Sequence, residues 1–320
     1  MNCNKMWPCY IPPETDELFS SWFTRLCSVH FVKSHSFSKY FFDGAAIWNR
    51  DIDISGNEII LEKIIEHTPL NSTQIKKLFL NDYEGILFEK LFLFSTIINK
   101  IGVVHRKRKL YGLKYCPGCL ENTIIYYRKS WRLATSIICG NCLLHLRDRC
   151  EKCNSPICFY RLETGQKNSY LKDKLNICYY CKSDLRSGGI FKKANFNEIE
   201  YQNYIDTTIR NGYNDHSQYS FQYFNLLLNL RRHMFSNSIN WMRIRKAVEN
   251  NYGISFSIPS HTPIDIEQNR VSLLIAFNIL KDWPTNILHF SKENNLRYSD
   301  YTKDMENAPY IIYKLFREHF

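Results

Sequence analysis

The chain has 320 residues, 44% hydrophobic and 15% aromatic, enough to bury a core in two or three domains. Its formal net charge of +11 at pH 7, with an isoelectric point near 9.0, favours a polyanionic partner. Residues 1–14 lack the apolar run of a secretory signal, and the most apolar window, Leu87 to Val104, is broken by Glu89, Lys90, Asn99 and Lys100. The reading is of a cytoplasmic protein with no membrane segment, in which thiols stay reduced.

The amino-terminal third reads as helical. Leu18, Phe19, Trp22, Phe23 and Leu26 recur at the spacing of one buried helical face. Thr15 or Asp16 is expected to cap that helix, and Pro12 and Pro13 keep it from extending backwards. A short second helix is expected from Ser36 or Ser38 to Phe42, followed by a polar-aromatic connection, Trp48 to Asp53. Ile59, Ile60, Ile64 and Ile65 mark a third helix, and Thr68-Pro69-Leu70-Asn71 a turn. Ser72 or Thr73 then caps a fourth helix carrying Ile75, Leu78 and Phe79. The order helix, turn, helix allows a DNA-reading helix-turn-helix with Lys76 and Lys77 on its second helix, or an ordinary packed pair.

From Lys90 to Leu120 there is no acidic residue, while Arg106, Lys107, Arg108 and Lys109 run consecutively. Clustered cations suit phosphate contacts, because affinity grows with the number of counterions released. The expected nucleic-acid or partner face is Arg106, Lys107, Arg108 and Lys109, backed by Lys114, Arg128 and Arg132.

Four Cys-x-x-Cys pairs follow: Cys116/Cys119, Cys139/Cys142, Cys150/Cys153 and Cys178/Cys181. Two intervening residues let a tight turn aim both sulfurs at one point, and two such knuckles complete a tetrahedral shell at a Zn–S distance of about 2.3 Å. Two Zn2+ ions per chain are therefore expected. Nineteen residues separate Cys119 from Cys139, and twenty-four separate Cys153 from Cys178, lengths that suit a hairpin returning to the metal. Tyr126 to Leu133 is strand-like in its aromatic content. Cys116, Cys119, Cys139 and Cys142 are assigned to one site, with His145 as an alternative to Cys142, and Cys150, Cys153, Cys178 and Cys181 to the other. Cys3, Cys9, Cys27 and Cys158 fall outside the pairs.

Four-cysteine sites leave no open coordination position for water, and the chain has no phosphate-binding Gly-x-x-x-x-Gly-Lys loop or Gly-x-Ser-x-Gly elbow. No catalytic residues are assigned. Past Phe191, Tyr219 to Phe235, Trp241 to Val248 and Val271 to Trp283 read as helices, and Arg231, Arg232, Arg243 and Arg245 are expected to add to a basic surface. The expected fold is mainly α with two small zinc-ribbon (β-hairpin) modules. Its parts are an N-terminal helical domain over 1–112, tandem zinc ribbons over 113–190 and a C-terminal helical domain over 191–320.

The run Gly102 to Leu120, with His105-Arg106-Lys107-Arg108-Lys109-Leu110-Tyr111-Gly112-Leu113-Lys114-Tyr115-Cys116-Pro117-Gly118-Cys119, resembles the centre of the TniQ/TnsD family of bacterial transposon target-selection proteins. So do Tyr127 to Leu133 followed by Cys139, Leu146, Asp148-Arg149-Cys150 and Cys153, the entry Pro12 to Arg25 with Ser21-Trp22-Phe23-x-Arg25, and Trp48-Asn49-Arg50-Asp51. The resemblance spans roughly residues 8 to 185. Where the family usually carries Cys-x-x-His, the matching position here is Cys142, and this alignment favours Cys142 over His145 as ligand. The resemblance implies a non-catalytic adaptor that recognises target DNA directly or docks on a guide-RNA complex, then recruits an AAA+ ATPase and the transposase. A homodimer is compatible with it. A zinc-dependent DNA-binding transcription regulator, reading an operator through the Ile59 to Leu80 helices, is the alternative.

Overall fold

The structure is a computed structural model that describes residues 6–44, 46–90, 96–105, 107–162, 175–187, 189–236, 242–257, 264–303, 305 and 308–319. Packing divides the chain into two units: Met1–Asp82 with Ile98–Ala194, and Tyr83–Ile97 with Asn195–Phe320. The boundary expected at 112/113 thus falls inside the first unit, where helices and cysteine segment share one core. The one expected at 190/191 lies four residues from the junction after Ala194. Among the described residues the fold is mostly helical, with a single two-stranded sheet and two four-cysteine groups.

In the first unit α1 (Phe19–Val29) packs on α2 (Ser34–Phe41), and α3 (Glu58–His67) on α4 (Ser72–Lys76). Phe19 stacks on Phe79 at 4.7 Å, and Phe23 meets Phe37, Phe42 and Trp48. The cysteine segment enters the same core: Tyr160 stacks on Trp48 at 4.4 Å, and Phe159 lies 4.7 Å from Tyr127. Aromatic surface shared in this way makes the two parts fold together, because neither can bury its rings alone.

Neither Thr15 nor Asp16 caps α1. Its first turn instead uses a distant carboxylate: Asp53 accepts from the Ser20 backbone N–H at 2.8 Å and from the Ser20 hydroxyl at 2.9 Å. A buried anion at a helix N-terminus satisfies orphan donors and favours the helix dipole. Asp16, at a positive φ of 62°, accepts from the Ser130 hydroxyl at 2.6 Å. Helix α2 begins at Ser34, ahead of both expected starts. Asn57 caps α3, and Asn71 with Gln74 forms a reciprocal capping box on α4, one residue before the expected cap. Helix α4 is only five residues, little more than one turn, with Lys76 and Lys77 exposed at its end.

The sheet is a ribbon of β1 (Val103–Val104) and β2 (Lys107–Arg108), antiparallel, with Val103 opposite Arg108 and Val104 opposite Lys107. The expected strand over Tyr126 to Leu133 is absent; a 3-10 turn occupies Ser130–Arg132. Tertiary hydrogen bonds override the β-propensity of its aromatics: Leu18 donates to the Tyr127 carbonyl at 2.9 Å, and Lys129 to the Asp16 carbonyl at 2.7 Å.

The second unit is helical: α5 (Phe196–Asn211), α6 (Ser220–Met234), α7 (Met242–Tyr252), α8 (Ile266–Leu280), α9 (Thr285–Glu293), α10 (Tyr298–Thr302) and α11 (Tyr310–His319). Helix α6 buries Tyr223, Phe224, Leu226, Leu227, Leu228 and Leu230, and packs on α7, α8 and α10. Apolar residues nearly all round a helix are what a central position requires. Of the arginines expected on a basic surface here, Arg243 pairs with Asp300 at 3.1 Å and Arg245 with Glu249 at 3.0 Å. Burial of Arg231 brings its pKa down to about 10, while Arg232 is exposed. Among the described residues no helix is long and apolar enough to cross a membrane.

Candidate metal centres and the basic ribbon

Three of the four knuckles are built identically. In each, the first cysteine's N–H donates to the carbonyl five residues on: Cys139 to Leu144 at 2.8 Å, Cys150 to Ser155 at 3.0 Å and Cys178 to Ser183 at 2.9 Å. Its own carbonyl accepts from the N–H four residues on: Leu143 at 2.8 Å, Asn154 at 2.8 Å and Lys182 at 3.1 Å. Those last three residues all have positive φ, 52°, 57° and 61°, which turns the chain back so that both sulfurs point inward. The Cys116/Cys119 knuckle differs, running into a 3-10 turn over Cys119–Glu121. Here Gly118 provides the close approach: a Cβ there would lie 3.2 Å from Cys142 Sγ and 3.1 Å from Leu144 Cδ1.

The eight sulfurs gather into two groups, Cys116, Cys119, Cys139, Cys142 and Cys150, Cys153, Cys178, Cys181, each with its ligand atoms within 4.8 Å of one another. Sγ separations of 3.5 Å for Cys119 to Cys139 and to Cys142, and 3.6 Å for Cys150 to Cys181 and Cys153 to Cys178, are close to the ~3.8 Å edge of a tetrahedron with ~2.3 Å metal–sulfur bonds. Each group can hold a metal ion. Cys142, rather than His145, completes the first; the His145 backbone donates instead to the Lys192 carbonyl at 3.0 Å. Cys9, Cys27 and Cys158 stand outside both groups, and Cys3 lies outside the described residues.

Electrostatics favour a cation in each. Hydrogen bonds from Cys116 and Cys119 bring the Cys139 thiol down to about 2, while hydrogen bonds to Cys119 and Cys139 and burial drive Cys116 far upward. Four thiolates in such proximity repel one another, and a divalent ion removes that repulsion. In the second group burial opposes ionisation of Cys181, yet hydrogen bonds from the Ser183 hydroxyl and backbone bring it down to about 6. That hydroxyl lies 2.9 Å from Cys181 Sγ and 3.4 Å from Cys150 Sγ, an outer contact that orients two ligands. Spacing singled out the cysteines but not Ser183, whose only signal is its place two residues past Cys181.

The expected basic face divides into an outside and an inside. Lys107 and Lys109 are exposed, and Arg106 lies outside the described residues. Arg108, between them, is buried: it donates to the Ile157 carbonyl at 3.0 Å, lies 4.0 Å from Asp53, and sits over the Phe159 and Tyr160 rings at 5.6 and 5.1 Å. Lys114 is buried too, donating to the carbonyls of Leu133, at 2.6 Å, and Ser136. Arg132, fully buried, forms a two-pronged pair with Asp51 at 2.5 and 3.1 Å and donates to the Asn99 carbonyl at 2.9 Å. Arg128 is half-buried over Tyr126, at 4.7 Å, and Trp131, at 5.9 Å. Arg108, Lys114 and Arg132 therefore do not present a contact surface; Arg108 and Arg132 tie the cysteine segment to the amino-terminal part, and Lys114 braces the cysteine segment internally. Asp51 and Asp53, the partners of Arg132, lie about eighty residues upstream of it, and Asp53 also faces Arg108; alternate carboxylates are the sole signal of that role in the sequence.

The amino-terminal stretch has a similar internal role. Glu17, Ser21 and Arg25, four residues apart, form a buried chain in which Arg25 meets Glu17 at 2.5 Å and Ser21 donates to Glu17 at 2.7 Å. The Tyr127 N–H donates to Ser21 Oγ at 2.9 Å, so this chain also reaches the cysteine segment.

Comparison with curated proteins finds no match. Residues 8–141 match the TniQ family model, a span that takes in α1 to α4, the ribbon and three sulfurs of the first group and stops one residue short of the fourth, so that this part of the chain is similar to the TniQ family.

Proposed function

We propose that this protein is a non-catalytic, zinc-binding target-selection adaptor of a bacterial transposon. It would recognise target DNA, directly or through a DNA-bound guide complex, and recruit the transposition ATPase and transposase. The TniQ match carries this reading, since domains of that family are accessory, non-catalytic parts of transposition. Zinc is the metal assigned to both groups, because four thiolates in tetrahedral array and a reducing cytoplasm suit it. Zn2+ would be held by Cys116, Cys119, Cys139 and Cys142 in one group and by Cys150, Cys153, Cys178 and Cys181 in the other. It would supply charge and rigidity there, with all four positions filled by protein.

The nucleic-acid face we assign is the ribbon, on which Lys107 and Lys109 are exposed and Arg108 fixes the base. Clamping matters because cations on an ordered ribbon lose less conformational entropy on binding than those on a loose loop. The test is Lys107→Glu with Lys109→Glu, leaving Arg108 untouched. Zinc content and melting should stay unchanged, targeted insertion in cells should be lost, and the slope of log affinity against log salt should fall by about 0.9 for each duplex contact removed. Unchanged insertion and salt slope would overturn the assignment. Tight binding of one duplex by the isolated protein, without effect on insertion, would instead support the transcription-regulator reading.

A further inference from the structure

The second unit contains a groove of about 730 Å³ between α5 and the end of α8, bordered by residues 213–216. That volume lies in the range of sites that enclose a ligand. Its walls are aromatic: Tyr204, Tyr213, His216 and Trp283 line it, with His216 5.8 Å from Tyr204 and 5.5 Å from Trp283 between ring centres. Burial brings His216 down to about 4 despite Asp215 and Asp282 nearby, so at neutral pH it offers a π face rather than a positive charge.

The charge of this groove runs against the rest of the molecule. Glu200, Asp215 and Asp282 line it, and its one lining cation, Lys281, is paired with Glu200 at 2.7 Å. Three carboxylates less one ammonium leave a formal charge of about −2, on a chain of +11. Such a lining repels phosphate and attracts cations.

We propose that this groove is a docking site for an arginine-bearing segment of a partner polypeptide, the guanidinium lying between the aromatic walls and the Asp215 and Asp282 carboxylates. Arginine fits better than lysine because its planar, weakly hydrated head stacks on rings and reaches carboxylates at the same time. The inference rests on the second unit alone and holds whichever task the first unit performs.

The full-length, metal-loaded protein is titrated with the capped tripeptide acetyl-Gly-Arg-Gly-amide, its citrulline counterpart and its lysine counterpart. Binding is followed by the indole N–H resonance of Trp283, identified by its loss in Trp283→Phe. The arginine peptide should shift that resonance saturably, with the citrulline peptide at least ~tenfold weaker, about 1.4 kcal/mol. Asp215→Asn combined with Asp282→Asn should weaken the arginine peptide by a similar factor, leave the citrulline peptide unaffected and leave melting unchanged. An immobile Trp283 resonance, or equal affinities for arginine and citrulline peptides, would overturn the proposal. Equal affinity for lysine would remove the guanidinium preference, and a matching shift with a short single-stranded oligonucleotide would reassign the groove to nucleic acid.

Discussion

The two four-cysteine groups use the same ligands at the same spacing but sit differently. In the first, Cys116, Cys119 and Cys139 are buried and only Cys142 is half-exposed; in the second, Cys153 and Cys181 both reach the surface. The chain between the first group's knuckles carries Tyr127, Lys129 and Ser130, which bond to α1 and its approach. It also carries Arg132, which pairs with Asp51. The second group joins the core through the rings of Phe159 and Tyr160 and through the Ile157 and Leu175 carbonyls, which accept from Arg108 and Tyr127, and it lies beyond the matched TniQ residues. Identical ligand chemistry can thus serve as an internal clamp in one place and an accessible staple in another, according to what the intervening loop is made to do.

The sharpest way to break this comparison is to remove one ligand from each. A structural zinc supplies about 10–16 kcal/mol of apparent binding free energy, as much as the ~5–15 kcal/mol that holds a whole domain folded. Cys139→Ser should abolish the cooperative melting of the first unit, whereas Cys181→Ser should lose one zinc and keep a cooperative, lowered transition. Chelator challenge of the unmutated protein should release zinc in two phases of one ion each, the second group first. Melting curves that fall equally, or release in a single phase, would erase the distinction.

The buried charges that tie the first group to the helices come next. Arg132→Ala removes the guanidinium that pairs with Asp51 and leaves the buried Asp53 with only Arg108 and Ser20, and should cost about 3–5 kcal/mol in denaturant unfolding. Lys107→Ala, on the exposed ribbon, should change stability by less than about 0.5 kcal/mol. A small loss for Arg132→Ala would mean that water reaches the cluster and that the clamp is loose. A smaller effect is expected at Gly112, just before Cys116, where an added Cβ would fall on the Lys100 carbonyl oxygen and within 2.8 Å of that of Asn99. Gly112→Ala should cost about 1–3 kcal/mol, and an unchanged denaturation midpoint would show that this backbone can shift freely.

The smallest effect compares matched knuckle positions. Leu143 in the first group and Lys182 in the second both have positive φ. Leu143 is 40% exposed, and its loss as Leu143→Gly should stabilise by about 1 kcal/mol. Lys182→Gly should give less, because the Lys182 ammonium donates to the carbonyls of Leu162 and Tyr179 at 2.9 and 2.8 Å. Equal gains in melting temperature would show that those bonds contribute nothing.

Cysteine spacing made both sulfur groups legible, since ligand geometry is local to each knuckle and needs only two knuckles to meet. Helical periodicity likewise marked the apolar face of α1, whereas in α3 only Ile60 and Ile64 are buried and Ile59 and Ile65, expected beside them, are exposed. Which of the cations turned inward was harder to read. The run Arg106 to Lys109 looks uniform as a charge count, but among its described residues Lys107 and Lys109 are exposed while Arg108, between them, is buried. Tyr126 to Leu133 has the aromatic content of a strand, yet its backbone is committed to Asp16 and Leu18, residues more than a hundred positions away. Local propensity carries no trace of such partners, nor of Asp53 serving as the remote cap of α1.

Those distant bonds also set an order of events during synthesis. The Ser130 hydroxyl bonds Asp16 across 114 positions, and the Tyr127 N–H bonds Ser21 across 106. At translation rates of about 5–20 residues per second, the first helices leave the ribosome roughly 5–20 s before the segment that completes them. Through that interval the ring of Trp48 lacks the Tyr160 ring that finally stacks on it, and closure must bear the entropy of a long loop. The amino-terminal helices are therefore the part of this molecule that a chaperone would meet first.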